Sequence, residues 1–364
     1  MRILHVVEDY SYSGGGVRTV VENLHNYLNN INVNSYILTL KAEPGDKVFL
    51  IQKTSKIWLY SSKLKGKIKE IYSELKIDLI HIHGVWMYPQ YCAANFALQN
   101  NIPFVLTSHG MYEPWYWSQG KIKKNAYFKF VISKYFKKAT IIHAITPNEK
   151  STQKSLFPNN KIIEIPNLIN YQENNSNLLP YGNNKPYLLY LGRLHSVKGI
   201  DLLIEAFCLI NQNKYDLRIA GSINEYKVEL DKIISKYQKR NNIFFEGMVQ
   251  GDKKDSLYQN AHVFILPSRA EAIGMVNLEA AMHKIPVITS WRTGLSPNWN
   301  KNGGVLIEPN IKELKTTLEE VFKWSEIDRL NNGDKLSKFV RSNYSWESRG
   351  NDWLELYKKA ISNQ

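Results

Sequence analysis

Two glutamates eight positions apart, Glu271 and Glu279, stand in the stretch AHVFILPSRAEAIGMVNLEAAMHKIP at residues 261–286. The stretch opens on an apolar run, 262–266, of the length of a buried parallel strand. Pro267-Ser268 ends the run, Glu271 follows in a loop, and Gly274 begins a helix that carries Glu279 on its second turn. One carboxylate from a loop and one from a helix therefore meet one cleft. The helix N-terminus between them turns unpaired N–H groups and the positive end of a dipole toward that cleft. Carboxylates are poor partners for phosphate and good acceptors for sugar and ribose hydroxyls. The parts suit a nucleotide sugar, with the diphosphate on the helix end and hydroxyls on the acids. The same spacing also fits a helix N-terminal acid followed by a solvated helix acid, with no ligand.

Cations stand upstream. The segment YLLYLGRLHSVKGIDLLIEAF, 187–207, reads as strand, Gly192-Arg193, loop, Lys198-Gly199 and helix. Arg193 and Lys198 would both reach the strand end, where two cations opposite a helix N-terminus make a diphosphate clamp. Near the start, a strand at 2–7 leads into DYSYSGGGVRTVVENLHNYL, whose Gly14, Gly15 and Gly16 turn the chain into a helix with Val17, Val20, Val21, Leu24 and Leu28 on one stripe. Such a loop can bring backbone N–H groups to an anion or be an ordinary strand–helix turn. The dinucleotide fingerprint fails at its third glycine, where Thr19 stands. His83 and His109 fall at strand ends, where ligands of parallel sheets bind. His81 and His83 share a strand face and could bind metal, but no Cys or acid of matching spacing completes a site, so no metal is expected.

These elements must be positioned by a chain of 364 residues, right for two α/β domains. Further strands are expected at 35–40, 79–82, 104–108, 140–145 and 161–165, with helices between. The polar stretch YQENNSNLLPYGNNKP, 171–186, reads as a linker. Alternation restarts at 187 with strands at 216–220 and 243–246, and a final helix runs over 346–361. The expected fold is α/β, with doubly wound parallel sheets in domains at 1–170 and 187–345. Cys92 and Cys208 lie far apart without metal spacing, which points to a reducing, cytoplasmic compartment. The first apolar run is too short for a signal peptide. Residues 79–112 carry no Asp, Glu, Lys or Arg, yet Pro89, Gln90, Asn95 and Pro103 stop them spanning a bilayer.

The net charge is +14, and residues 1–180 hold 21 Lys and Arg against 12 Asp and Glu. The basic half should attract an acidic partner. Two basic, aromatic stretches carry it, Lys53 to Lys76 and WYWSQGKIKKNAYFKFVISKYFKK at 115–138. In the second, Tyr127, Val131 and Tyr135 make one helical stripe, with Phe128, Ile132 and Phe136 beside it. An apolar face flanked by lysines fits a helix on anionic lipid, and equally a core-packed helix with a solvated lysine face. No groove-reading motif supports nucleic acid.

Taken together, the segments LYLGRLHSVKGIDLLIEAF, LRIAGS, IFFEGMV and PSRAEAIGMVNLEAAMHKIPVI resemble, in order and spacing, the retaining glycosyltransferases of group 1 or family 4. The resemblance covers nearly the whole chain. It implies the GT-B architecture: two Rossmann-like domains facing across a deep cleft, with a closing helix at 346–364 that crosses back to the first. It implies that Arg193 and Lys198 bind the donor diphosphate, that Glu271 holds the sugar hydroxyls and that Glu279 holds the ribose. The backbone of Ala272, Ile273 and Gly274 would add N–H donors, Gly15 and Gly16 would line the cleft, and His109 would touch a sugar hydroxyl. No cofactor or metal is implied. The resemblance departs at Glu271-Ala272-Ile273-Gly274, where the family usually has Glu-Gly-Phe-Gly, and at Lys284, where Gly is common. These changes bear on the choice of donor. UDP-sugars come first and GDP-sugars second. The basic aromatic surface suggests a lipid-diphosphate-linked acceptor at the cytoplasmic membrane face, for surface polysaccharide or glycolipid. A transferase acting on a small acceptor and a non-catalytic nucleotide-sugar binder are the alternatives.

Overall fold

The computed structural model of the chain describes residues 1–11, 14–43, 45–170, 185–237 and 242–362. The linker expected at 171–186 lies, apart from its last two residues, outside them. Two compact units are present, Met1–Asn170 with Arg349–Gln364, and Tyr171–Ser348.

The first unit holds seven parallel strands: β1 (Arg2–Val6), β2 (Asn34–Thr39), β3 (Val48–Leu50), β4 (Leu79–His83), β5 (Phe104–Thr107), β6 (Ile141–Ala144) and β7 (Ile162–Glu164). Their order is β3-β2-β1-β4-β5-β6-β7. The chain winds outward from β1 to one edge, then restarts beside β1 at β4 and winds to the other. That reversal between β1 and β4 is the switch point, outside whose carboxyl ends ligands bind in such sheets. Central strands are buried on both faces, so β4 and β5 read as unbroken buried runs. Helix Gly15–Asn30 packs with Val20, Val21, Leu24 and Leu28, the expected stripe.

Helix Trp346–Ser362 enters the first unit from Arg349 onward. Gly350 permits this: a Cβ there would lie 2.4 Å from the ring of Tyr27. Further along, the Tyr357 hydroxyl meets a nitrogen of buried His81 at 2.8 Å.

The second unit holds six parallel strands: β8 (Tyr187–Leu191), β9 (Asp216–Ala220), β10 (Ile243–Gly247), β11 (Val263–Leu266), β12 (Val287–Ser290) and β13 (Val305–Ile307). Their order is β10-β9-β8-β11-β12-β13, with the switch point between β8 and β11. Strands β3 and β13 were not expected. Each has three residues, too few for a period to show. Helices Ile311–Val321 and Glu326–Tyr344 also went unread, although Ser325 and Asp328 form a capping box at the start of the second.

Of the two readings of 115–138, a lipid face and a core face, the core face holds. The apolar stripes of 115–138 are not a free face. Ile132 and Phe136 are fully buried in the first unit's core, and Tyr127, Phe128, Val131 and Tyr135 pack against it. The most exposed large apolar side chains of the two basic stretches are Ile122 and Phe130, 86% and 71% exposed, and Ile57, 83% exposed. The Trp58 indole N–H donates to the Tyr127 hydroxyl at 2.8 Å, so the two basic stretches meet. No helix among the described residues is long and apolar enough to cross a membrane.

Candidate active site

In the second unit β8 ends at Leu191 and hands over to Gly192-Arg193. A single turn, Ser196–Lys198, follows, capped by the His195 ring. Gly199 then takes φ +67, and a Cβ there would lie 2.0 Å from the Pro267 carbonyl oxygen. Glycine alone lets the Lys198 turn press on the exit of β11 in this way. Arg269 ties the same two loops together. Its guanidinium makes parallel bonds to Asp201 at 2.8 and 2.6 Å and donates to the Ser196 carbonyl. Its backbone N–H donates to the Val197 carbonyl at 2.7 Å. A planar fork held by a carboxylate is a stiff brace.

The braced loops bring Lys198 and Glu271 together. The Lys198 ammonium donates to Glu271 Oε2, with both side chains mostly buried. Arg193 is exposed, and its carbonyl accepts from the Tyr190 hydroxyl at 2.9 Å. Burial pushes the Tyr190 phenol well above its ordinary range; the charge of Glu271 adds to this and that of Arg193 opposes it. Arg193, Lys198 and Glu271 thus gather at the carboxyl ends of β8 and β11. Ala272, Ile273 and Gly274 run from Glu271 into helix Met275–Met282, with Gly274 at its N-cap and no side chain capping it.

Glu279 lies on that helix's second turn but meets other partners. Its Oε2 accepts from the Tyr258 hydroxyl at 2.9 Å and pairs with the Lys254 ammonium at 2.7 Å. Burial, and then the charge of Glu279, hold the Tyr258 phenol well above its usual range. Each acid therefore has its own lysine.

In the first unit the candidate residues gather around β5. Ser108 follows the strand, then His109 at φ +52 and Gly110 at φ +74. A left-handed histidine costs roughly 1 kcal/mol and persists only where neighbours enforce it. Glu149 does so. Its Oε1 accepts from the Ser108 hydroxyl at 2.5 Å and the Gly110 N–H at 2.7 Å, and its Oε2 from the Ile145 N–H at 2.7 Å. The carboxylate is fully buried, and desolvation raises its pKa against those three bonds. Gly15, at φ +64, and Gly16 open helix Gly15–Asn30 and are exposed; a Cβ on either would meet nothing.

Behind His109 lies a seam of histidines across four adjacent strands. His5 of β1 is level with His81 of β4, His83 with Thr107 of β5, and Thr107 with His143 of β6. His5, His81 and His83 come close enough for their nitrogens to share an ion. Both nitrogens of His81 and both of His83 are instead held in hydrogen bonds. Burial drives the pKa of His5 and His109 down to about 3 and that of His143 to about 4, and those of His81 and His83 well below 6.5.

Two family models match the chain. "Glycosyltransferase Family 4" takes residues 14–173, and "Glycosyl transferases group 1" takes residues 172–334. The chain belongs to this glycosyltransferase family. An uncharacterized glycosyltransferase of Methanocaldococcus jannaschii is 28% identical, over 95% of this chain and 95% of its own. Sucrose-phosphate synthase of Thermosynechococcus elongatus shares the fold at TM-score 0.80 and 18% identity, covering 100% of both chains. HepE of Anabaena, solved with UDP-glucose, does so at TM-score 0.75 and 16% identity, over 98% of this chain and 99% of its own.

Several parts of this glycosyltransferase were not read from its sequence. Glu149, Arg269, Asp201, Lys254 and Tyr258 hold the site residues without carrying a motif of their own. A capping pattern, Thr146 with Glu149 three places on, was the one available signal for Glu149.

Proposed function

We propose that this glycosyltransferase moves a hexose-type sugar from a nucleotide diphosphate sugar, UDP-linked before GDP-linked, to a lipid-diphosphate-linked acceptor at a membrane surface. The reading is carried by one arrangement: Lys198 bound to Glu271 at the ends of β8 and β11, beside Arg193 and a helix start. Arg193 and Lys198 take the donor diphosphate and neutralise the charge that grows as the anomeric C–O bond breaks. Glu271 is already oriented by Lys198 and accepts from the sugar hydroxyls. Glu279, with Lys254 and Tyr258 holding one of its oxygens, accepts from the ribose. The backbone of Ala272, Ile273 and Gly274, with Gly15 and Gly16, supplies N–H donors, and His109 contacts a sugar hydroxyl.

The reaction proceeds with retention. The acceptor oxygen attacks the anomeric carbon from the face the leaving phosphate departs, and its proton passes to a phosphate oxygen. One C–O bond forms and one breaks, and no separate protein base or metal takes part. The UDP-glucose bound by HepE, a fold relative, supports the donor class. The exposed Ile57, Ile122 and Phe130 among lysines support an anionic membrane partner.

The test is a thermal-shift panel of UDP, GDP, ADP and their common sugars, on wild type and Glu279→Ala. A ligand bound by the folded state alone raises the melting temperature. Stabilisation by one nucleotide family, lost in the variant, is expected. No shift with any nucleotide at millimolar concentration refutes the reading.

A further inference from the structure

Two hydrogen-bonded chains run through the histidine seam, and the rules of donor and acceptor fix one of them completely. His143 Nε2 lies 2.8 Å from the Ile165 carbonyl, which can only accept. His143 is neutral, so its Nδ1 is bare and must accept from the Thr107 hydroxyl at 3.0 Å. The Thr107 oxygen then accepts from His81 Nε2 at 2.7 Å, and His81 Nδ1 accepts from the Tyr357 hydroxyl at 2.8 Å. Every proton in that chain has one place.

The second chain is His5 Nδ1 to His83 Nε2, 2.9 Å, and His83 Nδ1 to His109 Nε2, 2.9 Å. Burial keeps all three rings neutral, so each carries one proton. Only two orderings then satisfy both bonds. Either all three protons sit on Nδ1, or all three sit on Nε2. The ends decide. His5 Nε2 is buried with no hydrogen-bond partner. A proton there would be an orphan N–H in the core, the rarest kind of unsatisfied group; a bare nitrogen there leaves only an unused lone pair.

We propose that His5 and His83 hold His109 in its Nδ1–H form, so that His109 presents a hydrogen-bond donor to ligand and cannot act as a base. His5 and His83 are positioning residues, and the group facing His109 must be an acceptor oxygen, of a hydroxyl or an anion. This rests on the reading that His109 contacts the donor sugar. The left-handed His109 backbone, clamped on both sides by Glu149, keeps its Nε2 on His83.

The experiment is a long-range proton–nitrogen correlation spectrum of the full chain labelled with 15N-histidine at neutral pH. His109→Gln, His83→Gln and His5→Phe assign the rings by the signals they remove. Protonated Nδ1 and bare Nε2 on His109, His83 and His5 are expected. The reverse pattern on His109 overturns the proposal; where a variant does not fold, through-space contacts to neighbouring assigned groups identify the His109 ring in the wild type. In His5→Phe the buried, unpartnered end passes to His83 Nε2, which the same rule keeps bare, so His109 should stay in its Nδ1–H form. A switch of His109 to the Nε2–H form in that variant also overturns the proposal. UDP-glucose should shift the His109 nitrogens in the wild type. If the ordering is as stated and no nucleotide sugar moves them, the sugar-contact reading falls and the ordering stands.

Discussion

Acid should unfold the first unit through its histidine seam. His5, His81, His83, His109 and His143 are buried and neutral, with pKa values lowered chiefly by desolvation: to about 3 for His5 and His109, to about 4 for His143, and well below 6.5 for His81 and His83. The unfolded chain titrates each near 6.5. Between those values the unfolded state binds more protons, so stability falls as pH drops through about 6.5 toward the folded-state values. At pH 5, about 1.5 units below the unfolded value, each histidine costs roughly 2 kcal/mol. Five such groups approach ~10 kcal/mol, against a typical domain stability of about 5–15 kcal/mol. Glu8, Glu113 and Glu149 act in the opposite sense. Burial raises their pKa values, so the cost of keeping them charged is relieved as pH falls, but three groups do not offset five, and His25, lowered to about 4 by burial, adds to the five. The assay is urea unfolding followed by circular dichroism at pH 7, 6 and 5, on wild type and His5→Phe. The wild type should lose most of the first unit's stability by pH 5. The variant, with one proton fewer to bind, should show a slope shallower by about 1.4 kcal/mol per pH unit. Equal stability at pH 7 and 5, or an unchanged slope in the variant, refutes the reasoning.

Two further outcomes are expected. Gly199→Ala should cost roughly 2–4 kcal/mol, combining left-handed strain with a backbone clash against Pro267, and should lower the melting temperature of the second unit along with transfer activity; an unchanged melting temperature counts against the tight turn. Wild type should float with vesicles rich in anionic lipid, less so as salt is raised, and Ile122→Glu with Phe130→Glu should abolish this; no flotation at low salt removes the membrane from the proposed function.

Local order is what the amino-acid sequence determined. Apolar runs such as YLLYL and VFIL are buried parallel strands because a sheet covered on both faces leaves no polar alternation. The spacing of Glu271, Gly274 and Glu279 placed a loop acid and a helix acid around one helix start, since a helix advances by fixed turns. Partners were decided only by the tertiary structure. No spacing tells that Glu271 takes Lys198 while Glu279 takes Lys254, because each lysine comes from an element far along the chain. The stripe from Tyr127 to Phe136 read equally as a lipid face or a core face, and periodicity cannot distinguish them; the packed side chains settle it as core. His81 and His83 were visible as a pair, but His5, Thr107, His143 and Tyr357 join them only through parallel register and a returning helix. Hydrogen bonds between strands far apart in sequence form where the fold closes, and that closure turned isolated histidines into two ordered chains.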